Sequence, residues 1–260
     1  MPILEIRSVG KMPVFDITVD APEHTYWTGG LLVSNCGEQP LENTELCNLV
    51  ESFPANHDTY QDFERTLKFA YLYAKTITLL PTHNQASNAV MMRNRRIGCS
   101  QSGIVQSFKK HGRRTHFQWS DAGYQYIQKV DKQYSDWLCI PKSKRTTSVK
   151  PSGTVSLLCG ATPGIHYPEA EYYWRTIRFA NNSWMVAALK DAGYKMESDV
   201  ADPTATVVYF PVKEENFERA ISDVTMWEQL ENAAQMQHYW ADNMVSVTVK
   251  FKPGDDIKSA

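Results

Sequence analysis

After about residue 40 the hydrophobic pattern switches repeatedly between helix-like and strand-like periods, and this alternation restricts the fold more than any other feature. Thr59-x-x-Asp62 reads as a capping box, and Phe63, Leu67, Ala70, Tyr71, Ala74 and Ile77 keep helical spacing up to Pro81. A second helix is expected after Ser120, burying Tyr124, Ile127, Val130 or Asp131, Tyr134 and Leu138. Shorter helices are expected at 182–192, closed by Gly193, and at 226–241, opened by Thr225-x-x-Glu228. Strand-like runs occupy 147–149, 155–158, 206–210 and 245–251. Strands alternating with helices predict an α/β architecture with largely parallel pairing. The first 35 residues differ: Ile3, Glu5 and Val14-Phe15-Asp16-Ile17-Thr18-Val19 are β-formers, punctuated by Gly10, Pro13, Pro22 and Gly29-Gly30. The expected organisation is therefore a small all-β segment, 1–35, and an α/β unit, 36–260, with the boundary at Asn35–Cys36. There is no internal repeat.

A chain of 260 residues can bury one full core beside a small module. A net charge of −2 gives no electrostatic case for nucleic acid or an anionic membrane surface. No run reaches the roughly 18 apolar residues of a membrane span, and the first ten residues lack the apolar core of a secretion signal. The five cysteines (Cys36, Cys47, Cys99, Cys139, Cys159) contain no C-x-x-C pair. Their odd number fits a reducing cytoplasm and not a disulfide scaffold or zinc module. His57, His83, His111, His116, His166 and His238 show no ligand spacing, so no metal site is expected.

The boundary itself carries chemistry. Cleavage at a terminal Asn needs a carboxamide that attacks its own carbonyl, groups that move protons, and a nucleophile after the scissile bond. Asn35 and Cys36 supply the first and last, and Asp16 and His24 suit the second. The text Val14-Phe-Asp-Ile-Thr-Val19, His24-Thr-Tyr26 and Gly30-Leu-Leu-Val-Ser-Asn-Cys36 resembles the C-terminal blocks of inteins (Hint-type domains). The resemblance implies that Asn35 cyclises, Cys36 accepts the upstream chain, and Asp16 and His24 assist. Ser34 stands where many inteins have His. The start at Met1, 35 residues before the junction, is similar to the C-terminal piece of a split intein; a contiguous intein cut at its gene boundary also fits.

Read forwards, Cys36-Gly37-Glu38 sets a carboxylate two residues from a thiol, with a second thiol at Cys47. Alone, C-x-E is weak, and paired cysteines usually mean buried packing. The wider text is more specific: Cys36-Gly-Glu-Gln-Pro-Leu, Cys47-Asn-Leu-Val-Glu-Ser-Phe-Pro54, Pro81-Thr-His-Asn84, Arg93-Asn-Arg-Arg-Ile-Gly98, Tyr134-Ser-Asp-Trp-Leu-Cys-Ile-Pro141 and Val149-Lys-Pro-Ser-Gly-Thr-Val-Ser156. From Cys36 to about Pro253 the chain resembles adenosylcobalamin-dependent (class II) ribonucleotide reductases. It is closer to their triphosphate branch, with the diphosphate form left open. The resemblance implies part of a ten-stranded α/β barrel, truncated here, and adenosylcobalamin as cofactor. It also implies a ribonucleotide substrate and a thioredoxin-like reductant. Cys36 would be the thiyl cysteine, Glu38 the base on the ribose 3′-hydroxyl, and Cys47 one of two cysteines oxidised in each turnover. The second of those cysteines would belong to an upstream reductase half carrying the intein's N-terminal segment.

Pro151-Ser152-Gly153-Thr154-Val155-Ser156 has a physical logic of its own. A Gly between hydroxyls after a strand can offer backbone N–H and side-chain O–H groups to an anion. In the resembled family this turn holds substrate phosphates. Cys99, Cys139 and Cys159 are expected as buried thiols; Arg93, Arg95 and Arg96 as a structural cluster that could also assist phosphate or cofactor; and Met236, Tyr239 and Trp240 as core.

Overall fold

The computed structural model describes residues 39–250, together with the backbone of two short strands near the N-terminus, β1 (Thr25–Thr28) and β2 (Leu31–Ser34). These two pair antiparallel, with Thr25 opposite Ser34 and Thr28 opposite Leu31. The expected β run at 14–19, and Asp16, His24, Asn35, Cys36 and Glu38, lie outside the described residues.

The core of the larger unit is a row of parallel strands. β3 (Leu49–Ser52) pairs in parallel with β4 (Gly98–Gln101), from Leu49 opposite Gly98 to Ser52 opposite Gln101. Parallel bridges continue the row from Cys99 to Thr147 and from Val149 to Val245. The strands expected at 147–149 and from 245 are present only as isolated bridges at Thr147, Val149 and Val245, which extend the parallel array without forming full strands. Every residue of β4 is buried, although its sequence is Gly-Cys-Ser-Gln. Small side chains are needed here: a Cβ on Gly98 would lie 2.3 Å from Gln39 Nε2 and 2.5 Å from Leu49 Cδ2.

Helices cover the array. α1 (Tyr60–Ile77) starts at Thr59, whose hydroxyl accepts the Asp62 amide at 3.3 Å, and its Phe63, Leu67, Tyr71 and Ala74 are buried at i+3 and i+4 steps. It leads through α2 (Gln85–Asn94), capped by Asn84, into β4; the sequence reading did not separate α2. α3 (Ile104–His111) and α4 (Arg113–Leu138) form the next crossover. The expectation of a helix starting after Ser120 is corrected: α4 begins at Arg113. Ser120 sits buried inside the helix, where its hydroxyl oxygen accepts from Gln101 Nε2 and its hydroxyl pairs with His116 Nε2, each at 3.4 Å, so it is a tertiary partner and not a cap. α7 (Met226–Tyr239), capped by Thr225 as expected, packs on α4; Met236 and Trp240 enter the core. The Trp240 indole N–H donates to the carbonyls of Cys99 at 3.1 Å and Ser148 at 2.9 Å, strapping two staves together.

Two further expectations change. The run 155–158 is a single helical turn, α5 (Val155–Leu158), because the Ser156 amide and hydroxyl both turn back onto the Ser152 carbonyl. Pairing is also not parallel throughout. β5 (Tyr172–Ala180), β6 (Lys195–Ser198) and β7 (Ala205–Lys213) form an antiparallel sheet in the order β5-β7-β6, with α6 (Trp184–Asp191) between β5 and β6. No described helix is long and apolar enough to cross a membrane.

One ion pair lies inside the α1–α4 contact. Lys75, fully buried, donates to Asp131 Oδ1 at 2.7 Å, to Ser143 Oγ at 3.0 Å and to the Pro141 carbonyl at 3.2 Å. Tyr71 donates to the same Asp131 oxygen at 2.8 Å, and the Ser143 amide donates to Oδ2 at 3.0 Å. Burial lowers the Lys75 pKa against the pull of Asp131. Lys75→Met leaves the Asp131 carboxylate buried without its cation. It should cost about 3–5 kcal/mol in urea unfolding, with Lys75→Met/Asp131→Leu losing less than the single variant. His116 is a second lever. Buried between Ser107 Oγ (2.9 Å) and the Phe108 ring, it is pushed down to about 3 by desolvation. Its depressed pKa means that its stabilising contribution is present above 6.5 and is lost as pH falls from there towards 3. Relative to His116→Gln, the unaltered protein should lose stability by about 1.4 kcal/mol per pH unit in that window, measured by urea unfolding at stepped pH.

Candidate active site

The carboxyl ends of parallel strands are where open α/β sheets present ligand-binding loops, and here β3 and β4 end beside the loop 150–164. Glu51 on β3 lies opposite Ser100 on β4. Its Oε1 accepts the Ser100 hydroxyl at 3.0 Å and the Ser102 hydroxyl at 2.7 Å. The same two serine oxygens accept backbone amides from the two ends of the loop: Lys150 N onto Ser100 Oγ at 2.9 Å and Gly164 N onto Ser102 Oγ at 3.0 Å. Burial pushes the Glu51 carboxyl up to about 7, against the two hydroxyl donors and the Lys150 charge, which pull it down. Neighbouring Cys99 is buried, and desolvation pushes its thiol well up, so it is an inert thiol in the expected way.

Within the loop, Ser152 and Ser156 are buried, and the Ser156 hydroxyl is spent on the Ser152 carbonyl. The polar groups left for an anion are thus the backbone amides around Gly153 and Thr154 and the exposed Thr154 hydroxyl. Val155 is exposed as well. A Cβ placed on Gly153 would meet nothing within 4 Å, so the space in front of the turn is open. Thr154 makes no side-chain cap to the turn it opens, which leaves first-turn amides for another acceptor. The Arg175 guanidinium on β5 donates to the Gly153 carbonyl at 3.2 Å. A cavity of about 460 Å³ runs from Thr154 and Leu157 past Arg175 to Arg178 and Val207. Arg178 is itself paired with Asp199.

The sequence-predicted thiol Cys47 is solvent-exposed in the segment entering β3. Around it the chain is tied down. The Gln39 amide donates to the Asn48 carbonyl at 3.1 Å, and Asn48 Nδ2 donates to the Ala74 carbonyl at 2.8 Å. Glu45 meets Arg96 in a buried ion pair at 3.1 Å. Arg96 therefore serves the fold, Arg95 is buried with its guanidinium on the Thr78 carbonyl, and Arg93 pairs with Glu42 at the surface. Cys139 and Cys159 are exposed, correcting the expectation of buried thiols. Tyr239 is exposed, correcting the expectation that it belongs to the core with Met236 and Trp240, and with Arg113, Arg114, Phe117 and Gln235 it lines a cavity of about 560 Å³. Sequence reasoning missed Glu51, Ser100, Ser102 and Arg175; their one signal was the polar run Ser100-Gln-Ser102 in a strand position, without apolar alternation.

No protein-family profile matches the chain. It is 53% identical over 219 residues to the adenosylcobalamin-dependent ribonucleoside-triphosphate reductase of Euglena gracilis, an alignment covering 84% of this chain and 30% of that protein. With the protein of the same name from Lactobacillus leichmannii, identity is 35% over 257 residues, covering 86% of this chain and 35% of that one. A crystal structure of a B12-dependent (class II) ribonucleotide reductase superposes with a TM-score of 0.76 at 32% identity, covering 86% of this chain and 36% of that one. The α subunit of the Actinobacillus ureae class Id reductase shares the fold alone, at TM-score 0.55 and 15% identity. The chain spans about a third of the length of the curated relatives it matches. Over most of its residues the chain is thus an α/β homologue of one part of the adenosylcobalamin-dependent ribonucleoside-triphosphate reductases.

Proposed function

We propose that residues 36–260 are part of the catalytic barrel of a class II ribonucleoside-triphosphate reductase, and that residues 1–35 are an intein C-terminal segment removed by protein splicing. The observation that carries the first half is the similarity to triphosphate reductases across a region that includes the turn 151–156 at the carboxyl end of a parallel array. In this reading the amides of Gly153 and Thr154 and the Thr154 hydroxyl hold substrate phosphate, with Pro151, Ser152, Val155 and Ser156 shaping the turn. Cys36 carries the radical as a thiyl and takes the ribose 3′-hydrogen. Glu38 accepts the proton of the 3′-hydroxyl, and water leaves from C2′. Cys47 and a cysteine of the upstream half supply two electrons and two protons as they close a disulfide: one proton leaves with the 2′-hydroxyl as water, and the other, with the two electrons, replaces it at C2′. Cys36 then returns its hydrogen to C3′ and is again a thiyl, and a thioredoxin-like reductant reopens the disulfide. Such a cycle belongs in a reducing compartment such as the cytoplasm.

Adenosylcobalamin, the cofactor in the relatives' names, would supply the initiating radical when the whole enzyme binds it. The described cavities do not fit it: at about 560 and 460 Å³ they are in the range of drug-sized ligands, and cobalamin is far larger. Its enclosure therefore needs protein beyond these cavities.

The splicing half rests on the sequence around Asn35–Cys36 and on the position of the β1–β2 hairpin, which ends at Ser34, immediately before the junction. Mixed with an upstream half carrying the intein N-terminal segment, the chain should yield a ligated reductase that begins its new segment at Cys36. Asn35→Ala should stop release of the intein piece, as read by intact-mass spectrometry. The ligated product should form deoxyribonucleotides only with adenosylcobalamin, and Cys36→Ser introduced into an intact, intein-free form should abolish turnover. Ligation that survives Asn35→Ala would refute the splicing reading, and turnover that survives Cys36→Ser would refute the reductase roles.

A further inference from the structure

We propose that Glu51 is a positioning residue that latches the two ends of the 150–164 loop together and so sets the shape of its anion-binding turn. The inference rests on the reading of that turn as a phosphate site. One carboxylate oxygen, Glu51 Oε1, takes both the Ser100 and the Ser102 hydroxyl protons. A serine hydroxyl has one proton and two lone pairs. With both protons directed at Glu51, each hydroxyl oxygen presents its lone pairs to an incoming amide: Lys150 N at one end of the loop, Gly164 N at the other. A single acceptor on β3 thus fixes two backbone points that are fourteen residues apart in sequence.

Those two points also touch each other. Gly164 has φ +51, and a Cβ on it would lie 2.4 Å from the Lys150 carbonyl oxygen, so the loop is pinched shut at its base. Further bonds hold the same edge: the Gly103 amide donates to the Thr162 carbonyl at 2.8 Å, and the Ser102 amide to the Ser52 carbonyl at 2.9 Å. Between the pinned ends, Gln106 holds Gly160 and Thr162 and Arg175 holds Gly153, so the Glu51 latch sets the base from which the Ser152–Ser156 turn starts. The carboxyl group is needed here only as an oxygen that accepts two hydroxyls at once. Glutamine, whose amide oxygen can accept the same two hydroxyls, should substitute for it; leucine, of similar bulk, should not.

The test uses the whole chain, with inorganic tripolyphosphate as the probe, and reads amide hydrogen exchange at Lys150 and Gly164. Glu51→Gln should keep both amides protected and bind tripolyphosphate within about threefold of the unaltered chain. Glu51→Leu should speed exchange at these two amides and weaken tripolyphosphate binding, each by about tenfold or more, with the Cys99 amide still protected. Unchanged exchange and affinity in a folded Glu51→Leu chain would overturn the proposal. So would a loss of binding in Glu51→Gln equal to that in Glu51→Leu. If Glu51→Leu does not fold, Ser102→Ala cuts one arm alone: faster exchange at Gly164 with Lys150 unchanged supports the latch, and no change at Gly164 overturns it. Absence of tripolyphosphate binding by the unaltered chain would overturn the phosphate reading of the turn, while the exchange pattern still decides the latch.

Discussion

Strand β4 sits in parallel pairing between β3 and the 147–149 segment, and the rest of the structure follows from burying it. A parallel strand flanked on both sides has all its backbone groups in ladders and both faces covered. Gly98-Cys-Ser-Gln101 meets that demand with small and polar side chains in place of the usual branched apolar ones. Gly98 lets Gln39 and Leu49 approach, and Cys99 leaves room for the Trp240 indole to reach across two staves. Ser100, whose hydroxyl would cost free energy if buried alone, is satisfied by Glu51 and Lys150 N. Polar residues in this strand therefore do not stiffen a sheet only; they carry the sheet's edge into the loop that follows it.

The same logic connects packing to the site. α1 and α4 close over one face of the array through the Phe63, Leu67, Tyr71, Ile127 and Tyr134 cluster, and the Lys75–Asp131 pair fixes how they meet. On the approach to β3, the buried Glu45–Arg96 pair and the Gln39–Asn48 contact hold the segment between the proposed radical cysteine and Cys47. A thiol that must abstract one chosen hydrogen needs its chain leashed at a fixed point, since misplacement by an ångström can cost orders of magnitude in rate. Gln39, Glu42 and Glu45 supply such fixed points.

Much of this was legible in the sequence, for identifiable reasons. Elements with strong periodicity and a cap, such as the helices beginning at Thr59 and Thr225, followed from local chemistry, as did the strand at 206–210. The turn 151–156 was found by its residue types, but its helical start was not: the short run Val155-Ser-Leu-Leu158 carries no period, and its conformation is set by Ser156 folding back on Ser152. The start of α4 was missed because Ser120 resembles a cap, when a tertiary bond to Gln101 is what holds it. Glu51 was invisible because one carboxylate in an apolar strand acquires meaning only when Ser100 and Ser102 are brought beside it in space. The antiparallel β5-β7-β6 sheet likewise departs from the parallel pattern through long-range pairing that local spacing does not encode.

One structure tests the whole account most directly: that of the ligated, intein-free enzyme with adenosylcobalamin and a ribonucleoside triphosphate bound. Phosphate oxygens are expected on the Gly153 and Thr154 amides, with Glu51 still bridging Ser100 and Ser102 and the ribose 3′-carbon facing Cys36 Sγ with Glu38 at the 3′-hydroxyl. Phosphates bound elsewhere, with the 151–156 turn empty and Cys36 remote from the ribose, would contradict it.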